Sequence, residues 1–310
     1  MPRDAHAGTP PLRALNDPEG AYVPHGLPTV VDAHVHVFPD ALFETLRAWF
    51  DAFAWPIRYR MRSEEVVGFL LSRGIRHVVA FQFAHRPGMA RSLNDYMVRL
   101  VESFPGRLTG LATVYPGEDG CREILEEAFS RGLAGVKLHA HVQCFDMNGK
   151  AMEPVYETCE RWDRPLVMHA SREPKSPAYR CDPHEICGAD RVEAVLREHP
   201  RTRLCVPHLG VDEFGLFRDL AFRYDNLWLD TAMVLAGYFP VEIGFRLDEL
   251  RPDRVMYGSD FPDIPYAWDR ELSRLAHMGL SPSFLERLLS ANAAGFFGLD
   301  AVAGTKNAAG

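Results

Sequence analysis

The stretch that decides the fold is Val-Val-Asp-Ala-His-Val-His-Val-Phe, residues 30–38. It is rich in β-branched and apolar residues, a composition typical of a buried β-strand. Successive side chains of a strand point to opposite faces, so His34 and His36 share one face. Two imidazoles fixed on one face form a chelating pair suited to a divalent metal ion. The alternative is a pair of core histidines, and only further ligands elsewhere in the chain would favour the metal site.

Composition and charge indicate a soluble globular protein. The 310 residues are 47% hydrophobic and 25% charged, as in ordinary globular domains. A formal net charge of −8 and a pI near 5.9 argue against a nucleic-acid-binding protein, which would carry a basic surface. No apolar run is long enough to span a membrane, and the polar residues 1–20 lack the apolar segment of an export signal. We therefore expect a cytoplasmic location.

The six cysteines show no spacing typical of a disulfide framework, and we expect reduced thiols. One cluster, Cys181-x-x-His184-x-x-Cys187, offers three residues of the types that bind zinc. Its spacing matches none of the usual zinc motifs and no fourth ligand is evident, so a structural zinc site there is the less favoured interpretation.

Apolar runs of strand length alternate with amphipathic helical patterns along most of the chain. Predicted strands cover residues 30–38, 76–83, 108–114, 134–139, 166–169, 204–207, 227–230 and 254–257. Predicted helices cover residues 41–53, 63–73, 94–104, 118–131, 152–162, 190–198, 213–222, 241–250, 268–277 and 283–295. Ser63 is the predicted N-cap of the second helix. This alternation favours an α/β fold, a single (β/α)8 TIM barrel with C-terminal helices. An open doubly wound sheet is disfavoured because no Gly-x-Gly-x-x-Gly follows the first strand.

One barrel domain is expected over residues 29–299. Residues 1–28 are rich in charge and proline and are predicted to form a flexible N-terminal arm. Residues 300–310 are small and polar and are predicted to form a frayed tail.

Candidate functional residues lie where the predicted strands end, which is where parallel barrels carry their active sites. They are His34 and His36 in the first strand, Lys137 and His139 in the fourth, His169 in the fifth, His208 after the sixth and Asp260 after the eighth. Each alone has a structural explanation, as a core histidine, a turn-capping aspartate or a paired lysine. Their joint occurrence at one end of the barrel favours a metal site.

These motifs resemble the amidohydrolase superfamily. The matching segments are the His-x-His of residues 34–36, Gly-Val-Lys-Leu-His at 135–139, Val-Met-His-Ala at 167–170, Pro-His-Leu-Gly at 207–210 and Tyr-Gly-Ser-Asp-Phe-Pro at 257–262. They are most similar to the amidohydrolase-related branch (amidohydrolase 2) that includes aminocarboxymuconate semialdehyde decarboxylase. The resemblance implies one divalent ion, most often zinc, with His34, His36, His169 and Asp260 as its ligands. It also implies that His208 is the acid–base histidine.

The chemistry of such a site agrees with the resemblance. A bound ion lowers the pKa of its water from about 15.7 towards about 7, which gives a nucleophile at neutral pH. His208 can move protons at the same pH, and Asp260 can accept the proton of the water besides binding the ion. Binuclear relatives bridge two metals with a carboxylated lysine in the fourth strand. Lys137 lies in that strand, but its motif resembles the branch that usually works with one metal. Lys137 and His139 are therefore predicted to line the site, with their roles open.

Two reactions fit this site. Hydrolysis of an amide, ester or lactone of a small, anionic substrate is slightly favoured. The alternative is non-oxidative decarboxylation of an aromatic or unsaturated carboxylic acid, in which the metal and His208 protonate the carbon that loses carbon dioxide. Arg172 and Arg180 after the fifth strand and Arg86 after the second are candidates to bind an anionic group in either reaction.

A barrel without catalytic activity is disfavoured because His208 and Asp260 are both present. The expected partner is a small-molecule substrate, with no nucleic acid and no membrane, and a homodimer is an open alternative.

Overall fold

Eight parallel strands form the wall of a barrel in this computed structural model, which describes residues 16–238 and 244–299. They are β1 (Val31–His36), β2 (His77–Phe81), β3 (Leu108–Gly110), β4 (Val136–His139), β5 (Leu166–His169), β6 (Leu204–Val206), β7 (Leu227–Asp230) and β8 (Val255–Met256). Sequential strands pair in parallel within one sheet of three strands and one of five. Bridges between Ala112 and Val136 and between Val35 and Phe261 join the two sheets and close the barrel. The predicted (β/α)8 fold is confirmed.

Helices surround the strands and begin and end within a few residues of most predicted bounds. They are α1 (Asp40–Phe53), α2 (Ser63–Ser72), α3 (Ala90–Glu102), α4 (Cys121–Ser130), α5 (Ala140–Gln143), α6 (Glu153–Arg161), α7 (Pro183–Ile186), α8 (Ala189–Glu198), α9 (Phe214–Arg223), α10 (Arg270–His277), α11 (Pro282–Glu286) and α12 (Asn292–Phe297). A π-helical turn, Arg287–Ala291, joins the last two. Within residues 16–238 and 244–299, no helix has both the length and the apolar character needed to cross a bilayer.

The helix predicted over residues 241–250 is wrong in the part that the structure describes. Residues 241–243 lie outside the described residues, and from residue 244 onward only the 3-10 turn Leu247–Glu249 forms. Gly244 adopts a φ of +77°, which is outside the range of a right-handed helix.

Ser63 has a different role from the predicted N-cap of α2. Arg62 is the residue before the helix, and Ser63 is the first helical residue. The Ser63 hydroxyl accepts a hydrogen bond from the Phe38 N–H at 3.1 Å and donates one to the Phe38 carbonyl at 2.9 Å. It therefore attaches α2 to the segment that follows β1.

A cluster of apolar side chains fills the barrel interior below the strand ends. Val31, Val79, Val167 and Met256 belong to it, as do residues of α12 at the N-terminal end of the strands. This packed floor leaves the C-terminal strand ends as the open end of the barrel, which is where the predicted site residues lie.

Part of the N-terminal segment, residues 16–28, contacts the barrel, and its flexibility stays a prediction. The Glu19 carboxylate accepts a hydrogen bond from the Tyr59 hydroxyl at 2.6 Å and pairs with Arg58 at 3.0 Å. The Gly20 N–H donates to the Asp269 carboxylate at 2.9 Å. The remainder of that arm, residues 1–15, and the predicted tail at 300–310 lie outside the described residues.

Candidate active site

A cavity of about 680 Å³ opens at the C-terminal end of the strands. The residues predicted at the strand ends all line it, namely His34, His36, Lys137, His139, His169, His208 and Asp260. The barrel therefore brings together, at its C-terminal strand ends, side chains that are more than two hundred positions apart in the chain.

Three side chains converge at the floor of this cavity. The Asp260 Oδ1 atom lies 2.9 Å from His34 Nε2 and 3.1 Å from His36 Nε2, and the two Nε2 atoms are 3.2 Å apart. All three residues are buried, and their ligand atoms lie within 4.8 Å of one another. Two imidazole nitrogens and one carboxylate oxygen are suitable donors for a divalent transition metal ion. The residues present therefore fit the metal ion that the resemblance implies.

The segment after β8 is held against β1, which fixes Asp260. The Ser259 N–H and hydroxyl both donate to the Asp32 carboxylate, at 3.0 and 2.5 Å, and the Asp260 N–H donates to the His34 carbonyl at 2.9 Å. Gly258 packs on His34 so closely that a Cβ atom there would lie 2.4 Å from the His34 Cβ. The contact between the two segments thus requires glycine at position 258.

Asp230, at the end of β7, orients His34. The Asp230 Oδ2 atom accepts a hydrogen bond from His34 Nδ1–H at 2.8 Å, and Oδ1 accepts from the N–H groups of His208 and Ala232 at 3.0 and 3.1 Å. A carboxylate on Nδ1 selects the tautomer whose Nε2 can bind a metal ion. Asp230 was not predicted from the sequence, and the signal for it was its position as the last residue of the predicted strand 227–230.

The protonation states of Asp260 and His36 suit metal binding, whereas that of His34 opposes it. Burial raises the pKa of Asp260, but hydrogen bonds from His34 and His36 outweigh it and hold that pKa well below its usual range. Burial lowers the pKa of His36 to about 4, so its imidazole is neutral at pH 7. Burial also lowers the pKa of His34, but the negative charge of Asp230 and the hydrogen bonds to Asp230 and Asp260 together more than offset it, and the net pKa is raised. Binding a metal ion at His34 therefore competes with a proton.

His169 lies in a neighbouring cluster and does not converge with the other three predicted ligands. Its Nε2 atom is 3.1 Å from one Glu173 oxygen, and the other Glu173 oxygen is 2.7 Å from His141 Nε2. These ligand atoms also lie within 4.8 Å of one another. The His169 ring remains beside the floor of the cavity, because its centroid is 4.9 Å from that of His208.

Glu173 and His141 were not predicted from the sequence. Hydrogen bonds from His141 and His169 outweigh burial and keep the pKa of Glu173 well below its usual range, and burial lowers the pKa of His169 to about 3. The available signal was the segment His139-Ala140-His141, which repeats the His-x-His spacing of β1.

His208 presents one ring nitrogen to the cavity. Its Nδ1 atom is 2.8 Å from the Ala232 carbonyl, which can only accept, so Nδ1 carries the proton and Nε2 is left to exchange one. Burial lowers the pKa of His208, although Asp260 opposes this effect, and the neutral imidazole predominates at pH 7. The ring centroid is 5.2 Å from that of His34. His208 Nε2 is therefore available to exchange a proton beside the cluster of His34, His36 and Asp260.

Lys137 and His139 also line the cavity, and their roles stay open. Lys137 is buried, and burial lowers its pKa to about 8 in spite of the charges of Asp230 and Asp260. Its Nζ atom lies 4.4 Å from the centroid of the Phe81 ring. The ring of His139 stacks on that of His169 at 4.2 Å.

The structure does not place Arg172 or Arg86 on the cavity wall. The Arg172 guanidinium pairs with Asp190 and Glu213, each at 3.3 Å, and Arg86 is exposed. Arg180, the third arginine considered, does line the cavity.

Two members of the candidate zinc cluster, Cys181 and His184, hydrogen-bond to different backbone carbonyls. Cys181 Sγ donates to the His141 carbonyl at 3.0 Å, and His184 Nε2 donates to the Glu173 carbonyl at 3.1 Å. In the part of the chain that the structure describes, they form no group of three possible metal ligands. The structural zinc site therefore gains no support.

Several solved structures share this fold at low sequence identity. A 5-carboxyvanillate decarboxylase from Novosphingobium aromaticivorans, in complex with manganese and 4-hydroxy-3-methoxy-5-nitrobenzoic acid, is 17% identical, with a TM-score of 0.67 over 91% of this chain and 100% of that one. A 2,6-dihydroxybenzoate decarboxylase in complex with 2,6-dihydroxybenzoate is 14% identical, with a TM-score of 0.63 over 88% and 100%. A probable 2-pyrone-4,6-dicarboxylic acid hydrolase from Acinetobacter baumannii, with citric acid bound, is 16% identical, with a TM-score of 0.57 over 87% and 100%.

At these identities the similarity establishes the fold alone. The family follows from a separate comparison, in which the amidohydrolase 2 family model, described as amidohydrolase, matches residues 31–299. Because that match covers most of the chain and includes each motif that suggested the resemblance, the chain belongs to the amidohydrolase 2 family.

Proposed function

We propose that this protein is a metal-dependent, non-oxidative decarboxylase of an aromatic or unsaturated carboxylic acid. The observation that carries the proposal is the position of the metal-ligand cluster and His208 on the floor of a cavity whose outer wall is mostly apolar and aromatic. Two decarboxylases of hydroxylated aromatic acids among the proteins of similar fold give it further support.

One set of residues would bind the metal ion and the carboxylate of the substrate. His34, His36 and Asp260 would hold the divalent ion, with His169 as the proposed fourth ligand. When bound, such an ion supplies positive charge that binds and orients the carboxylate of the substrate. Lys137, which carries charge below a pH of about 8, adds a second positive group at the same floor.

His208 supplies the proton that replaces the carboxyl group. A proton taken up at Nε2 passes to the carbon that bears the carboxylate, the bond from that carbon to the carboxyl group breaks, and its electron pair restores the unsaturated system. Carbon dioxide leaves, and the neutral imidazole takes up another proton from solvent. Because burial lowers the pKa of His208, its protonated form is a stronger acid than an exposed imidazolium.

The apolar wall favours loss of the carboxyl group. Phe38, Phe83 and Phe214 line the cavity, and their rings offer no hydrogen bonds to a carboxylate. Decarboxylation converts a charged carboxylate into neutral carbon dioxide, so surroundings that exclude water favour the product side.

Hydrolysis, which the sequence slightly favoured, becomes the second candidate. The observation in its favour is the similar fold of the probable 2-pyrone-4,6-dicarboxylic acid hydrolase. Its TM-score of 0.57 is lower than the scores of 0.67 and 0.63 for the two decarboxylases. A small anionic substrate is proposed in either case, and a cytoplasmic location stays a prediction.

Hydrolysis adds an oxygen atom of water to the product, whereas decarboxylation adds only a proton. Purified protein, stripped with a chelator and reloaded with zinc or manganese, is incubated with hydroxybenzoates, lactones and amides in water enriched in oxygen-18. We expect metal-dependent release of carbon dioxide from at least one aromatic acid, with no oxygen-18 in the aromatic product. Oxygen-18 incorporation without carbon dioxide release would contradict decarboxylation and establish hydrolysis. The metal that restores the higher rate identifies the better cofactor.

A further inference from the structure

The outer wall of the cavity is an aromatic face of α1. Leu46, Trp49, Phe50 and Phe53 follow one another at the spacing of a single helical face, and all four line the cavity. Trp55 extends the same wall beyond the end of the helix.

Most of this face lies outside the protein core, and only Leu46 of its four residues packs against the core. On α1 only Phe43 and Arg47 are buried, whereas Trp49 and Phe50 are half-buried and Phe53 is 56% exposed. Clustered aromatic side chains that remain in contact with water at the edge of a cavity typically mark a surface that a ligand covers.

The aromatic wall is connected to the reacting end of the cavity. The Trp49 ring stacks on Tyr179 with centroids 5.7 Å apart and planes 17° apart. The Tyr179 hydroxyl donates to Glu173 at 2.7 Å, and Glu173 in turn contacts His169. The aromatic wall is therefore linked through Tyr179 and Glu173 to His169 at the strand ends.

The charges on the wall limit what can lie against it. The segment from Leu46 to Trp55 contributes no charged side chain to the cavity lining. The cations of the lining outside the strand ends are Lys175, which pairs with Asp182, and Arg180, both from the loop after β5. The part of a ligand that faces α1 should therefore be uncharged and apolar.

The size of the cavity exceeds that of a single-ring acid. At about 30 Å³ for each water molecule, its volume of about 680 Å³ corresponds to on the order of 20 water molecules. A monocyclic hydroxybenzoate, with about half that number of non-hydrogen atoms, would leave much of the apolar wall in contact with water.

We infer that the substrate is an aromatic carboxylic acid that carries a large apolar substituent, a second ring or an alkyl chain, on the side opposite its carboxylate. The substituent would lie on Trp49, Phe50 and Phe53. The assignment of the carboxylate end rests on the proposed function, whereas the preference for an apolar extension rests on the wall itself.

The test compares 2-hydroxybenzoate with its 4-butyl and 4-phenyl derivatives. Dissociation constants are measured by calorimetry with metal-loaded protein, and carbon dioxide release is followed separately. Each buried methylene group can tighten binding up to about fourfold. We expect both derivatives to bind at least 10-fold more tightly than 2-hydroxybenzoate, and the ratio to fall about 10-fold in Trp49→Ala and in Phe53→Ala. The matched control is Phe222→Ala, which removes an equally exposed ring of α9 that does not line the cavity.

Equal or weaker binding of the extended acids would overturn the inference, as would a preference that persists in Trp49→Ala and Phe53→Ala. Thermal midpoints of the variants confirm that they remain folded, and Phe53 is exposed enough to be replaced without loss of core packing. A preference for the extended acids without carbon dioxide release would sustain the inference and contradict the decarboxylation. Release of carbon dioxide without a preference for the extended acids would support the decarboxylation and contradict the inference.

Discussion

At the scale of single residues, the backbone is strained where the chemistry is proposed. His208 and Asp260 adopt φ angles of +57° and +63°, in the left-handed region that residues other than Gly enter uncommonly, although Asn, Asp and His do so more often than the rest. Such a conformation costs about 1–3 kcal/mol for each residue. Hydrogen bonds offset the cost, because the His208 N–H donates to Asp230 and the Asp260 N–H to the His34 carbonyl.

Asp230 should act on the metal ion only through His34, and Asp230→Asn tests this. The asparagine oxygen can still accept from the N–H groups of His208 and Ala232, so the fold is kept. Its amide would donate to His34 Nδ1 and move the imidazole proton to Nε2, the atom needed for the metal. We expect metal affinity, measured by competition with a chelator, to fall about 10- to 100-fold. The control is Asp225→Asn, which changes an exposed carboxylate. Equal metal affinity in the two variants would show that Asp230 does not act on the metal ion through His34.

His208 should contribute to turnover and not to metal binding. His208→Asn is chosen because asparagine tolerates the positive φ at this position. We expect full metal content and a turnover lower by about 100- to 10,000-fold, the usual contribution of a general acid or base. The control is His277→Asn, at an exposed histidine of α10, which should change neither the metal content nor the turnover. Loss of metal together with turnover would make His208 a ligand, and retained turnover would remove it from the mechanism.

At the scale of elements, the site depends on the close contact between β1 and the segment after β8. A methyl group in Gly258→Ala would meet the His34 Cβ, so the two segments must move apart. We expect a loss of about 1–3 kcal/mol in the free energy of unfolding, the usual cost of overpacking, and weaker metal binding.

The control for this steric effect is Gly215→Ala in α9, where a Cβ meets nothing within 4 Å. That change should stabilise the protein by about 0.4–1 kcal/mol, since alanine restricts the unfolded chain. Urea unfolding of both variants provides the measurement. A Gly258→Ala variant as stable as Gly215→Ala, with parent metal affinity, would show that the contact is unimportant.

The elements show which features the sequence could predict. Apolar runs predicted the strands and amphipathic patterns predicted most of the helices, because burial dictates residue type at these positions. The helix predicted at 241–250 fails from residue 244 onward because a positive φ at Gly244 overrides the apolar pattern. Glu173 and Asp230 were missed because a carboxylate that orients a histidine has no spacing of its own, and only the folded chain brings the two together.

At the scale of the whole molecule, buried neutral histidines make the fold sensitive to acid. His77, at the start of β2, is buried with its Nε2 atom 2.9 Å from the Thr109 hydroxyl, and burial lowers its pKa from 6.5 to about 4. Between those two values the unfolded chain binds a proton that the folded chain does not, so stability falls as the pH falls from 6.5 towards 4.

This protonation should cost roughly 2–3 kcal/mol at pH 4.5 for His77 alone. His77→Gln, which cannot titrate, should lose that much less stability than the parent between pH 7.5 and 4.5. Urea unfolding at both pH values, with the same metal loading, provides the comparison. An equal loss in parent and variant would show that His77 is protonated in the folded protein.

The central claim is that one divalent ion is held where β1 meets the segment after β8, and metal content for each chain tests it most directly. Elemental mass spectrometry of purified, metal-loaded protein should find close to one ion in the parent and in Glu173→Gln. It should find almost none in the double variant His34→Ala with His36→Ala, which removes two of the three converging ligands. An ion retained at full occupancy in the double variant, in protein that remains folded, would contradict the account.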